Sequence, residues 1–139
     1  MSDKFKFFYP LKVRYAETDA QGHVFFGNYY TYFDEGLVEY MRELGYSYQD
    51  LLGQGMDLLY VESGCRHHSP ARFDDILHVH TTLGKIGNSS LTFGFSIFKQ
   101  GSDQLVATGH IVAVNVDRDS RRPVSVPKAL RNAVADYES

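Results

Sequence analysis

Residues 14–45 read RYAETDAQGHVFFGNYYTYFDEGLVEYMRELG, and this stretch decides the fold. A polar, glycine-punctuated loop over residues 17–27 runs directly into a helical pattern. Tyr29, Tyr32, Phe33, Gly36, Leu37, Tyr40, Met41 and Leu44 recur at steps of three and four, so one helix face is apolar and largely aromatic. Asn28 is expected to cap the helix, because its side-chain oxygen can accept from the first-turn N–H groups. Gly45 suits the left-handed position that ends it. The loop therefore brings Asp19 beside a helix N-terminus, where free backbone donors and the helix dipole favour negative charge.

Upstream, residues 5–15 alternate as a strand. Phe5, Phe7, Tyr9, Leu11, Val13 and Tyr15 face one way, and Lys4, Lys6, Lys12 and Arg14 mostly the other. Pro10 argues for an edge position. Downstream, Ser47 can cap a short helical turn. Four strands are then expected, at 57–69, 76–86, 91–98 and 104–116, with turns at Gly87-Asn88 and at residues 100–103. Tight turns imply antiparallel pairing of consecutive strands as a meander. Residues 117–122 form a charged turn, and Pro127 opens a last short helix reaching about residue 137. One long helix with a wide apolar face and one sheet to bury it predicts an α+β domain in which an antiparallel five-stranded sheet wraps the helix. There are no repeats, linkers or low-complexity tracts, so residues 1–139 are read as one domain.

Composition narrows the function. The chain has 139 residues, 43% of them hydrophobic, and a net charge of −3, which gives no electrostatic footprint for nucleic acid. A single cysteine excludes an internal disulfide framework and fits a reducing compartment. No apolar run is long enough for a membrane span, and the first ten residues lack the features of a signal peptide, so a cytoplasmic location is expected. His67 and His68, adjacent on a strand, are expected on opposite sides of it. His78 and His80 share a face but lack an evident carboxylate or cysteine partner, so no metal site is expected. Cys65 is expected to be a buried thiol. No serine-hydrolase elbow, P-loop or dinucleotide fingerprint is present.

The segment TDAQGHVFFGNY at residues 18–29 resembles the active-site loop of the 4-hydroxybenzoyl-CoA thioesterase-like family, whose fold is the hot-dog fold. The resemblance continues through FDEGLVEYMRELG at 33–45, PARFDD at 70–75, GNSSLT at 87–92 and RRPVSVP at 121–127. It implies acyl-CoA thioester hydrolysis with Asp19 as nucleophile or general base and the Phe26 backbone N–H as the donor that polarises the carbonyl. Position alone equally allows Asp19 to be an Asx-turn residue that caps the loop, and His23 would assist, or would simply pack the loop. One branch of the family has a histidine where this chain has Phe26.

The resemblance also assigns Tyr15, Gly27, Asn28 and Tyr29 to the substrate surround. Tyr15 would donate to Asp19 or, in the preferred reading, be a strand-end core aromatic, and of the aromatic helix face only Tyr29 is expected at substrate. Lys85, Asn88, Ser89, Ser90 and Arg121 are implied to meet coenzyme A. Glu35 and Glu39 are read as solvated or interface carboxylates. Coenzyme A is part of the substrate and no other cofactor is implied; carrier-protein thioesters are a further substrate class. Relatives pair as homodimers or as dimers of dimers, hence homotetramers, with the site at the dimer seam. The competing readings are a hot-dog dehydratase or hydratase and a non-catalytic acyl-CoA-binding module.

Overall fold

The computed structural model describes residues 5–139; Lys4, assigned above to the outward strand face, lies outside them. Five strands form one antiparallel sheet: β1 (Phe7–Lys12), β2 (Met56–His67), β3 (Ile76–Ile86), β4 (Ser90–Lys99) and β5 (Leu105–Asp117). Helix α1 (Asn28–Leu44) lies against one face, α2 (Tyr48–Gly53) comes next in the chain, and α3 (Lys128–Glu138) closes it.

The aromatic face of α1 is buried: Tyr29, Tyr32, Phe33, Gly36, Leu37, Tyr40 and Met41 all lie in the core. They meet the inward side chains of the sheet, among them Leu77, Val79, Leu91, Phe93, Phe95 and Ile97. The Phe33 ring stacks on Phe95 with centroids 4.6 Å apart. At Gly36 helix and sheet approach too closely for a side chain. A Cβ built there would lie 2.6 Å from Thr81 Oγ1 and 2.7 Å from Val79 Cγ1, so any side chain would force them apart. The helix ends at Gly45, whose φ of +84° is the left-handed conformation that glycine adopts without penalty.

The strand order is β1-β3-β4-β5-β2. Only β3, β4 and β5 form the expected meander. Among the described residues β2 pairs with β5 alone and its other edge is open, because the β2–β3 connection passes β5 and β4 rather than turning back. β1 pairs with β3 at the opposite edge, where Pro10 is tolerated. β1 is also shorter than expected. It stops at Lys12, and Tyr15–Glu17 form a single 3-10 turn.

Candidate active site

The loop before α1 is closed by its own backbone. Asp19 N–H donates to His23 O at 2.7 Å, Gly22 N–H donates to Asp19 O at 3.0 Å, and Phe25 N–H donates to Glu17 O at 2.8 Å. Gly22 takes a φ of +82° to make the reversal. The loop is pinned to the β2–β3 connection through Val24 N–H to Ala71 O at 2.9 Å and a bridge between His23 and Arg72. The Asp19 carboxylate faces back into this loop. Its Oδ1 accepts the N–H of Gln21 at 2.9 Å and of His23 at 3.2 Å. Asp19 is therefore an Asx-turn residue, which the sequence allowed as an alternative to a chemical role, and it also lines an open cavity.

That cavity has a volume of about 410 Å³. One wall is the loop and the start of α1, through Asp19, His23, Phe26 and Tyr29; the other is the end of β2 and the connection beyond it, from His67 to Pro70. The Phe26 N–H finds no acceptor among the described residues, whereas the N–H groups of Phe25 and Asn28 are both satisfied. It is a free main-chain donor at the head of α1. Burial pushes the Tyr29 hydroxyl up to about 12, so it stays protonated and neutral.

Several expected residues stand elsewhere. Asn28 is the first helical residue rather than the cap; Gly27 occupies the cap position, and the Asn28 amide donates to Glu17 O at 2.9 Å, tying helix to loop. Gly27 has an ordinary φ of −65°. Its lack of a side chain is explained by the Phe25 ring, which would lie 2.9 Å from a Cβ there. Neither Gly27 nor Asn28 lines the cavity. Tyr15 is neither core nor a donor to Asp19: it is 76% exposed, with its ring edge-on to Phe73 at 5.8 Å. The strand had already ended, so the alternation that would have buried it no longer applied.

His67 and His68 turn different ways, as neighbours on a strand are expected to: the His67 ring meets Tyr29 and Phe26, whereas His68, one residue beyond β2, meets Thr108 of β5, and both residues border the cavity. Their place beside Asp19 was not legible locally, because it depends on the crossing β2–β3 connection. Cys65 is half-buried rather than buried, and burial holds its thiol pKa up. Among the described residues no three His, Cys, Asp or Glu side chains converge as a metal site. Glu35 is exposed in a separate groove with Arg14, Glu17 and Tyr32, and Glu39 pairs with Arg42 at 2.9 Å.

The residues assigned to coenzyme A lie at the other end of the sheet. Lys85 is exposed at the end of β3. Ser89 O accepts from Asn115 N–H at 2.7 Å and Asn88 O from Val126 N–H at 2.8 Å, so the 87–90 hairpin adjoins the end of β5 and hence the start of β2. Arg121 pairs with Asp57 at 3.1 Å, also at that end. At about 3.3 Å per residue, the 12 residues of β2 put its ends roughly 36 Å apart. Within one chain these residues cannot reach the Asp19 cavity.

Residues 13–134 match the model of the thioesterase-like superfamily. The chain belongs to this superfamily. It is a thioester hydrolase of hot-dog fold. The acyl-CoA thioester hydrolase YbgC of Escherichia coli is 27% identical, covering 95% of this chain and 96% of its own. A candidate esterase of Aquifex aeolicus is 32% identical over 94% of this chain and 98% of its own. Among solved structures, a gentisyl-coenzyme A thioesterase superposes with a TM-score of 0.83 at 27% identity, over 92% of this chain and 99% of the other.

Proposed function

We propose that this thioester hydrolase acts on acyl-CoA, with Asp19 as the attacking carboxylate or as the base that activates water. One observation supports the reading: Asp19, and Phe26 with its unsatisfied main-chain N–H, line the same open cavity at the head of α1. Hydrolysis needs an oxygen delivered to the acyl carbon and stabilisation of the negative charge that develops on the acyl oxygen. Asp19 serves the first need. The Phe26 N–H and the positive end of the α1 dipole serve the second, and cost no reorganisation because they are already in place. His23 and Tyr29 line the approach. The full-length likeness to YbgC and to the gentisyl-coenzyme A enzyme supports a CoA ester as substrate.

The working unit is a dimer paired through the open edge of β2. Tyr60 and Val61 are exposed on this strand, 48% and 60% respectively, an apolar edge that a monomer would leave open to association. An antiparallel, twofold pairing of β2 with its copy sets the Met56 end of one chain beside the His67 end of the other. The hairpin carrying Lys85, Asn88, Ser89 and Ser90 then approaches the partner's cavity, where Lys85 can meet phosphate. Arg121, at the same end, adds charge. This arrangement resolves the separation found within one chain.

The test is thiol release from a panel of acyl-CoA esters with aromatic, short and long acyl groups, with acyl-carrier thioesters alongside. Turnover of at least one CoA ester is expected. Binding of CoA esters without thiol release, at any enzyme concentration, would contradict the reading.

A further inference from the structure

We infer that His67 is a catalytic acid for the departing thiolate, a role that rests on the hydrolase reading above. The cavity has two walls of different origin. Asp19, His23, Phe26 and Tyr29 come from the loop and α1; His67 comes from the end of β2. The His67 ring is held edge-on by Tyr29, centroids 5.2 Å apart at 63°, and by Phe26, 6.4 Å apart at 86°. Two aromatic contacts fix its plane without consuming its ring nitrogens. Among the described residues its one hydrogen-bonding contact is with the Cys65 sulfur, 4.0 Å from Nδ1, the outer limit for a contact to sulfur. The next residue is committed elsewhere: His68 Nε2 meets Thr108 Oγ1 at 3.0 Å.

The chemistry explains why the opposite wall matters. In the tetrahedral intermediate the incoming oxygen and the sulfur occupy different corners. A group that serves the sulfur therefore stands away from the one that serves the oxygen. His23 belongs to the same loop wall as Asp19, its backbone N–H bound to the Asp19 carboxylate. His67 stands across the cavity from Asp19, on a hydrogen-bonded strand, and imidazole is the side chain suited to give and take a proton near neutrality.

Water loses a proton to Asp19 as its oxygen bonds to the acyl carbon. The C–S bond then breaks with its electron pair on sulfur, and protonated His67 delivers a ring proton to that sulfur, becoming neutral. The proton held on Asp19 returns to His67 through solvent. Free acid and free thiol are the products, and no other reactant is needed. If Asp19 attacks directly, the same transfer accompanies formation of the anhydride, which water then cleaves to the free acid and the Asp19 carboxyl, whose proton returns to His67 through solvent.

The experiment compares two thioesters of one acyl group in His67→Gln: the CoA ester and the 4-nitrothiophenyl ester, whose thiolate leaves without protonation. The expected result is a loss of kcat of about 100-fold on the CoA ester, the lower range for a positioned acid, with the aryl ester within about threefold of wild type. Survival of aryl-ester turnover also reports that the variant is folded; where Gln is not tolerated, His67→Asn reads the same ratio. Equal loss on both esters, or no loss on either, overturns the role. A wild-type enzyme that releases thiol from no acyl-CoA refutes the hydrolase reading instead, so the two failures are told apart.

Discussion

Asp19 and His23 are joined in both directions: the Asp19 N–H donates to the His23 carbonyl at 2.7 Å, and the His23 N–H donates to Asp19 Oδ1 at 3.2 Å. The carboxylate thus shapes its own loop, and the residue that carries it lines the cavity. The two functions separate by substitution. Asn retains an oxygen in the Oδ1 position, whereas Ala leaves the Gln21 and His23 N–H groups without their acceptor. Asp19→Ala is expected to lower stability by about 1 kcal/mol, and Asp19→Asn by much less, read as urea midpoints. Equal stability of the two variants would show that the turn does not depend on the side chain.

This double role was half legible in the sequence. The helix face of α1 was readable because 3.6-residue periodicity is local, and the limits of β3 matched residue for residue because its turn chemistry is local too. The neighbour of β2 was not readable, since strand pairing across a sheet is decided by long-range contacts. The histidine wall of the cavity depends on that pairing and went unseen for the same reason. Asn28 looked like a cap because its chemistry fits one, but the Phe25–Gly27 turn starts the helix one residue earlier and frees its amide for Glu17.

Gly36 tests the packing of helix on sheet. A methyl group at this position would meet Thr81 and Val79 at distances that real side chains do not tolerate. Gly36→Ala is expected to destabilise the protein by about 1–3 kcal/mol despite its better helix propensity. An unchanged or raised melting temperature would show that the interface has slack.

Acid should weaken the fold through the outer face of β3. His80 is 7% exposed among Phe5, Phe8 and Phe98, with His78 as its titratable neighbour, and its Nδ1 has no partner among the described residues. Burial, and then the His78 charge, hold its pKa below the usual 6.5. The unfolded chain therefore takes up the proton first, and stability present above pH 6.5 is lost as pH falls from there through the lower folded-state value. Unfolding midpoints of His80→Leu should vary less than wild type between about pH 7.5 and about pH 5.5. An equal slope would place the acid sensitivity in other groups.

The shared-site arrangement predicts complementation between two defective chains. Asp19→Asn removes the carboxylate, and Lys85→Glu repels phosphate. Co-refolded, the mixed dimer carries one site with both defects and one with neither, so activity should return to about a quarter of wild type. No recovery in a mixture containing heterodimers would place both residues in the same chain's site. Separately, Val61→Lys on the open edge of β2 should shift the protein to monomer by light scattering, with loss of turnover.

The central claim is that the Asp19 carboxylate performs the chemistry, and kcat of Asp19→Asn on the best acyl-CoA ester tests it most directly. With fold and assembly confirmed unchanged, the account predicts a fall of about a thousandfold or more, corresponding to roughly 4 kcal/mol or more of lost transition-state stabilisation. Turnover within a few-fold of wild type in that variant would contradict it.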